Sequence, residues 1–186
     1  MKSGSIYIAL GANLPSGGRS PVETLDLART LLDRAGVNVI ATSSYWRSPA
    51  WPDPADPAYI NAAIEVATQL PANDLLEEMH RIEEKLGRTR KVRWESRTLD
   101  LDLIDYRGMR TAGDLHLQLP HPRAVERAFV LLPLREIAPA WTDPVTGVGI
   151  DRLIKALGAE DIRTTCKLQL KPAEAREGLA LGSGDS

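Results

Sequence analysis

The stretch Thr98-Leu-Asp-Leu-Asp-Leu-Ile-Asp-Tyr106 alternates at the period of a strand, with Leu99, Leu101 and Leu103 on one face and Asp100, Asp102 and Ile104 on the other. It predicts a half-buried strand whose leucines enter a core and whose two aspartates share the opposite face. Two strand rises separate their Cα atoms by about 6.6 Å. Asp is depleted from strands, and neighbouring carboxylates repel unless something positive stands between them. The solvated side of an amphipathic sheet is the plain alternative, and it explains one such acid better than it explains a pair.

Working toward the N-terminus, Ile6 to Leu10 predicts a strand, Asn13 to Ser20 a Gly/Pro/Ser loop, and Pro21 the start of a helix reaching Ala35. Val37 to Tyr45 reads as a second strand and Ser48 to Pro57 as a proline-dense loop. Tyr59 to Thr68 follows as a strand with Ile60, Ala62, Ile64 and Val66 inward, which leaves Tyr59 and Asn61 outside. Pro71 to Leu86 carries Leu75, Met79, Ile82 and Leu86 at helical spacing and stops at Gly87. The order β-α-β-β-α-β is the ferredoxin-like arrangement, an α+β fold with an antiparallel sheet and both helices on one face. Further helices are expected at 123–137 and 150–157. One domain over 1–170 is expected, followed by a flexible tail over 171–186, where the apolar period ends.

Composition narrows the function. Of 186 residues 43% are hydrophobic and 26% charged, enough for a globular core, and the net charge of -2 argues against a protein that coats nucleic acid. No apolar run approaches the roughly 20 residues of a membrane span. The five-residue run Ile6 to Leu10 is too short for a signal-peptide core, so a cytoplasmic location is expected. With Cys166 the single cysteine and three scattered histidines, any metal is expected to be held by oxygen.

Magnesium suits a D-x-D on a strand, because it takes hard oxygen ligands and completes its shell with phosphates and water. The preceding loop supplies cations: Arg88, Arg90, Lys91, Arg93 and Arg97 stand against one acid, Glu95, within ten residues. Such a charge run is commonly no more than a solvated surface. Beside paired carboxylates, however, guanidinium forks can close over a polyphosphate and stabilise charge in transfer. A P-loop is not involved, since Ser16 and Gly17 stand where the second Gly and the Lys would be required.

Seven segments together resemble one family: Ala9-Leu-Gly-Ala-Asn13, Ser43-Ser-Tyr-Trp-Arg-Ser-Pro49, Tyr59-Ile-Asn-Ala-Ala63, Gly87-Arg-Thr-Arg90, Arg97-Thr-Leu-Asp-Leu-Asp-Leu-Ile104, Leu119-Pro-His-Pro-Arg123 and Arg127-Ala-Phe-Val-Leu-Leu-Pro-Leu134. Their order is similar to that of the 6-hydroxymethyl-7,8-dihydropterin pyrophosphokinases of folate biosynthesis, colinear from about Ile6 to Pro139. The resemblance implies a ferredoxin-like enzyme that moves the β,γ-pyrophosphoryl group of ATP to the pterin hydroxymethyl oxygen and releases AMP. It implies two Mg2+ ions held by Asp100 and Asp102 with ATP, and it matches Arg88 and Arg97 to the loop arginines that assist transfer. Arg90, Lys91, Trp94, His121 and Arg127 fall at nucleotide contacts; His80, Glu83 and His116 are weaker matches, exposed positions on the second helix being the alternative for His80 and Glu83. Ser48, Pro49, Ala50, Trp51, Tyr59, Asn61 and Phe129 match the pterin site, where a flat heterocycle favours stacking and an amide can read its edge. Residue type alone would put Phe129 in the core and give His121, between two prolines, a structural role.

Two other classes fit parts of the pattern. A polymerase-palm-like nucleotidyl transferase would also place paired strand aspartates on magnesium, but it would release pyrophosphate. An RNA-binding sheet module needs stacking aromatics on a basic face, and here that face carries Asp100 and Asp102. The resemblance implies ATP and the pterin as partners, and the expectation is of neither nucleic acid nor membrane, for a monomer or weak homodimer.

Overall fold

The structure is a computed structural model that describes residues 4–50, 53–87, 98–111 and 116–169. In chain order the elements are β1 (Ile6–Ala12), α1 (Pro21–Arg34), β2 (Asn38–Thr42), β3 (Trp46–Ser48), β4 (Tyr59–Ala67), α2 (Ala72–Lys85), β5 (Asp100–Tyr106), α3 (Ala128–Ile137), α4 (Ile150–Ala156), α5 (Ala159–Thr164) and β6 (Cys166–Lys167). The β-α-β-β-α-β core of the ferredoxin-like fold is present, with α3 to β6 added behind it.

Local chemistry explains where the helices begin and end. Ser20 caps α1: its hydroxyl accepts the Glu23 amide at 3.3 Å while the Glu23 carboxylate accepts the Ser20 amide at 2.6 Å, a reciprocal box with Pro21 at the first helical position. Leu25, Ala28 and Leu32 of α1, with Leu75, Met79 and Ile82 of α2, recur at helical spacing and are all buried. Gly87, with φ at 101°, takes the left-handed turn that ends α2.

The sheet order is β5-β1-β4-β3-β6, with β2 also on β4. β1 runs antiparallel between β4 and β5, so Gly11 faces both Asn61 and Asp100 across the ladders, and Ala9 faces Ala63 and Asp102. Ile6, Ile8, Leu10, Ala62, Ile64, Val66, Leu101 and Leu103 form one core with α1 and α2. The leucine parity expected of 98–106 therefore holds. A bulge follows it, because Ile8 pairs with Leu103 and Tyr7 with Asp105, leaving Ile104 as the extra residue.

Three expectations need correction. The segment Val37 to Tyr45 is not one strand but β2 and β3, because at Ser43 the side-chain hydroxyl, not a carbonyl, accepts the Ala63 amide at 2.9 Å and the ladder breaks. β3 then runs on to Ser48, the residue expected to open a loop. The segment 123–137 is a short 3₁₀ turn at Ala124–Glu126, an extended Arg127, and then α3. Finally, the second face of the sheet is not wholly open: Tyr7, Ala9, Ala63 and Ile104 pack there against Val130, Leu131 and Leu134 of α3 and against Trp141 and Ile150. α3 covers one end of that face and leaves the other for Gly11, Asn61, Asp100 and Asp102.

Candidate active site

At the uncovered end, Asp100 and Asp102 are half-buried on β5, an edge strand of the sheet. Beyond them a segment returns alongside the edge. The Thr111 hydroxyl and amide pin Leu119 from both sides, at 2.8 and 2.9 Å, and the His121 amide donates to the Ile104 carbonyl at 2.9 Å. A cavity of about 300 Å³ opens between this segment, α2 and β5, lined by Asp100, Asp102, His80, His116 and His121 among others. All three histidines of the chain thus meet both aspartates, although they stand far apart in sequence.

Among the described residues, Arg127 and His121 stand close to Asp102. Arg127 places a guanidinium nitrogen 3.5 Å from Oδ2, and His121 places Nε2 3.8 Å from Oδ1. The Arg127 and Asp102 side chains keep 23% and 28% exposure, open enough to reach a ligand and enclosed enough to feel each other. His121 Nδ1 accepts the Arg123 amide at 3.2 Å, so a neutral ring carries its proton on Nε2, toward the cavity. Burial pushes the His121 pKa down, Asp102 and Asp100 pull it up, Arg127 presses it down, and the balance lies below the ordinary histidine value.

On the other side of β1, Asn61 and Ser48 are each 4% exposed. Asn61 Nδ2 donates to Ser48 Oγ at 3.0 Å and lies 3.4 Å from the Trp46 carbonyl. This turns Oδ1 toward Gly11, where an ideal Cβ would lie 3.5 Å from it. Tyr59 pairs with Ser48 across β3 and β4 and has its ring edge over the same glycine. Ala50 is buried and Pro49 exposed. Phe129 is partly buried against the α3 core, as its residue type suggested, and the Arg127 guanidinium stands 5.5 Å from its ring centre.

The structure therefore brings together His80, Asp100, Asp102, His116, His121 and Arg127 on one side and Ser48, Tyr59 and Asn61 on the other. Glu83 is placed differently. It is wholly buried, neither at an exposed helix position nor in the cavity lining, and its carboxylate accepts the Leu101 amide at 2.8 Å. Trp51, Arg88, Arg90, Lys91, Trp94, Glu95 and Arg97 lie outside the described residues. Gly11 enters the sequence reading only within the segment Ala9-Leu-Gly-Ala-Asn13, because its place between Asn61 and Asp100 depends on the strand order.

No group of three or more His, Cys, Asp or Glu among the described residues is arranged to cage a metal. Two carboxylates on one face, with room beside them, fit instead a cation that draws its other ligands from phosphate and water.

Residues 7–139 match the family described as 7,8-dihydro-6-hydroxymethylpterin-pyrophosphokinase. The 2-amino-4-hydroxy-6-hydroxymethyldihydropteridine pyrophosphokinase of Synechocystis is 46% identical over 121 residues, which are 65% of this chain and 61% of that protein. The proteins of the same name from Methylorubrum extorquens and Haemophilus influenzae are each 39% identical over 133 residues, covering 72% and 71% of this chain and 82% and 80% of theirs. The crystal structure of wild-type Plasmodium falciparum HPPK-DHPS matches with a TM-score of 0.61 over 83% of this chain and 44% of that one, at 14% identity, a likeness of fold.

Proposed function

The chain belongs to the 7,8-dihydro-6-hydroxymethylpterin-pyrophosphokinase family, and from that premise we propose that it transfers the pyrophosphoryl group of ATP to the hydroxymethyl oxygen of 6-hydroxymethyl-7,8-dihydropterin, releasing AMP, as a step of folate biosynthesis. The observation that carries the reading is the row Asn61, Gly11, Asp100 across three strands, with an amide and a hydroxyl at one end and paired carboxylates at the other.

Asp100 and Asp102 would hold Mg2+, two ions with ATP, and the ions supply charge neutralisation on the phosphate oxygens. Arg127 keeps positive charge beside Asp102. Neutral His121 presents an Nε2–H as a donor for a phosphate oxygen. His80 and His116 line the same cavity and give the nucleotide further polar partners. On the pterin side, Asn61 Oδ1 accepts from the ring edge, and Ser48 fixes that amide by taking its Nδ2 hydrogen bond. Arg88 and Arg97 of the basic loop would bear on the charge that develops in transfer, with Arg90, Lys91 and Trp94 on the nucleotide. Positioning and charge account for most of such a reaction, and these residues supply both. ATP and the pterin are the proposed partners of a cytoplasmic monomer or weak homodimer.

Incubation with ATP, magnesium and 6-hydroxymethyl-7,8-dihydropterin, with identification of the nucleotide product, tests the proposal. AMP with the pterin diphosphate is expected. ADP would indicate an ordinary kinase, and pyrophosphate release a nucleotidyl transferase.

A further inference from the structure

One wall of the cavity beside the aspartates is built by a segment outside the strands. His116, Leu117, Gln118, His121 and Pro122 line it there. The segment nevertheless alternates as a strand would, with His116 and Gln118 exposed and Leu117 and Leu119 buried in the core that α1 and α2 cover. A slip of one residue would exchange the two sets, so whatever fixes the register also decides which groups meet the cavity. The His121 amide on the Ile104 carbonyl holds one end of the wall.

Thr111 holds its middle. The Leu119 amide donates to the Thr111 hydroxyl at 2.8 Å, and the Leu119 carbonyl accepts the Thr111 amide at 2.9 Å. Leu119 is 3% exposed, so its amide would be buried and unpaired without that acceptor. Thr111 in turn follows a stiff support. The turn after β5 passes through Arg107 and Gly108, both with positive φ, and closes with the Met109 amide on the Tyr106 carbonyl at 2.9 Å. Buried Asp105 accepts the Gly108 amide at 2.7 Å with one oxygen and Trp141 Nε1 at 2.9 Å with the other. Arg107 donates its amide to the Ser5 carbonyl at 2.9 Å and its guanidinium to the Thr68 carbonyl at 2.6 Å. The support belongs to the packed part of the fold, and Thr111 passes its position on to Leu119.

We propose that Thr111 is a positioning residue for the nucleotide: its hydroxyl, by taking the Leu119 amide, sets the register of the wall that carries His116, Gln118 and His121. The inference rests on the function proposed above and assigns part of it to a residue that does not itself line the cavity. Ser48, Tyr59 and Asn61 lie on the other side of β1, so losing this contact spares the pterin.

Thr111→Val and Thr111→Ala drop the hydroxyl and keep the backbone amide, while Thr111→Ser keeps both. Transfer breaks the bridge between the α and β phosphates of ATP, so α,β-methylene-ATP with magnesium reports binding without reaction. If the wall stands in register in only about a tenth of the molecules, apparent affinity falls about 10-fold, and that loss is expected of the Val and Ala variants. Thr111→Ser should bind the analogue as the parent does. At saturating nucleotide, titration with 6-methylpterin, which keeps the ring and lacks the reacting hydroxyl, should give the parent affinity in all three. The single-turnover rate at saturating ATP should also be retained, and melting curves confine the comparison to folded protein. Parent-like nucleotide affinity in the Val and Ala variants would overturn the proposal. So would a Thr111→Ser variant as weak as they are, or an equal loss for nucleotide and pterin. A parent chain that binds no analogue, or yields no AMP from ATP, defeats the function proposal itself; a parent that does both, beside an equally tight Thr111→Val, defeats this inference alone.

Discussion

The two faces of the sheet are made from the same strands and solve different problems. Toward α1 and α2 the side chains are aliphatic and fully packed, with Ile8, Ile64, Leu25, Leu32 and Leu75 at 0% exposure. Toward α3 only half the face is packed, and the rest holds Asp100, Asp102, Asn61 and a glycine. Stability is concentrated on the first face, and room and charge are kept on the second. Period-two alternation lets one strand serve both, so Leu101 and Asp102 can be neighbours in the chain and answer to separate demands.

Substitutions should divide along the same line. The largest effect is expected at Asp100→Asn and Asp102→Asn. Each keeps the shape of a half-buried side chain and removes its charge, so turnover should fall by about 10²- to 10³-fold, the scale of losing one preorganised electrostatic partner, while the melting curve barely moves. Ile64→Ala should do the reverse, with about 2–5 kcal/mol of stability lost and unchanged turnover per folded molecule. Denaturant unfolding beside steady-state kinetics reads both. Near-parent rates in both aspartate variants would be incompatible with the division and with the function.

Glu83 sharpens the comparison because it crosses the boundary. It lies on α2, a helix of the packed face, and its carboxylate accepts the amide of Leu101, between the two aspartates. Removing it leaves a buried N–H without that acceptor, at a cost of about 1–3 kcal/mol. Glu83→Ala should therefore lower stability and turnover together, and Glu83→Gln, which keeps an acceptor oxygen, should recover part of each. A Glu83→Ala variant as stable and as active as the parent would mean that α2 does not position β5.

How much of this the sequence discloses follows from the range of the interaction. The Leu99-to-Ile104 alternation, the capping box at Ser20 and the spacing of Leu75, Met79 and Ile82 are local, and each is expressed as read. The aspartate pair was legible because parity needs no knowledge of partners. Glu83 was not, since its helical position resembles an exposed one until Leu101 is brought against it from 18 residues away. The break at Ser43 depends on Ala63, and the cover over the second face on α3, both distant in sequence. Gly11 needed the strand order before its emptiness acquired neighbours. β6, two residues long, carries no periodic signal at all.

That short strand supplies the smallest test. Glu136, near the end of α3, accepts the Ser44 amide at 2.6 Å and pairs with Lys167 of β6 at 2.6 Å, while β6 lies beside β3, the strand that ends in Ser48. Burial pushes the Glu136 carboxyl up, but the Lys167 and Ser44 hydrogen bonds and the Lys167 charge outweigh it and hold the pKa below the ordinary value. A carboxyl whose folded pKa is depressed adds stability above its unfolded pKa and loses that contribution as pH falls through the folded one. Lys167 is 55% exposed, so screening limits the pair to about 1 kcal/mol or less. Glu136→Gln should melt slightly below the parent at neutral pH, and the two curves should converge in acid. A gap that persisted undiminished at low pH would assign the contact to shape and not to charge. Because Glu136 touches the β3 side of the sheet and not the aspartates, any change in kinetics should fall on pterin KM and leave ATP KM alone.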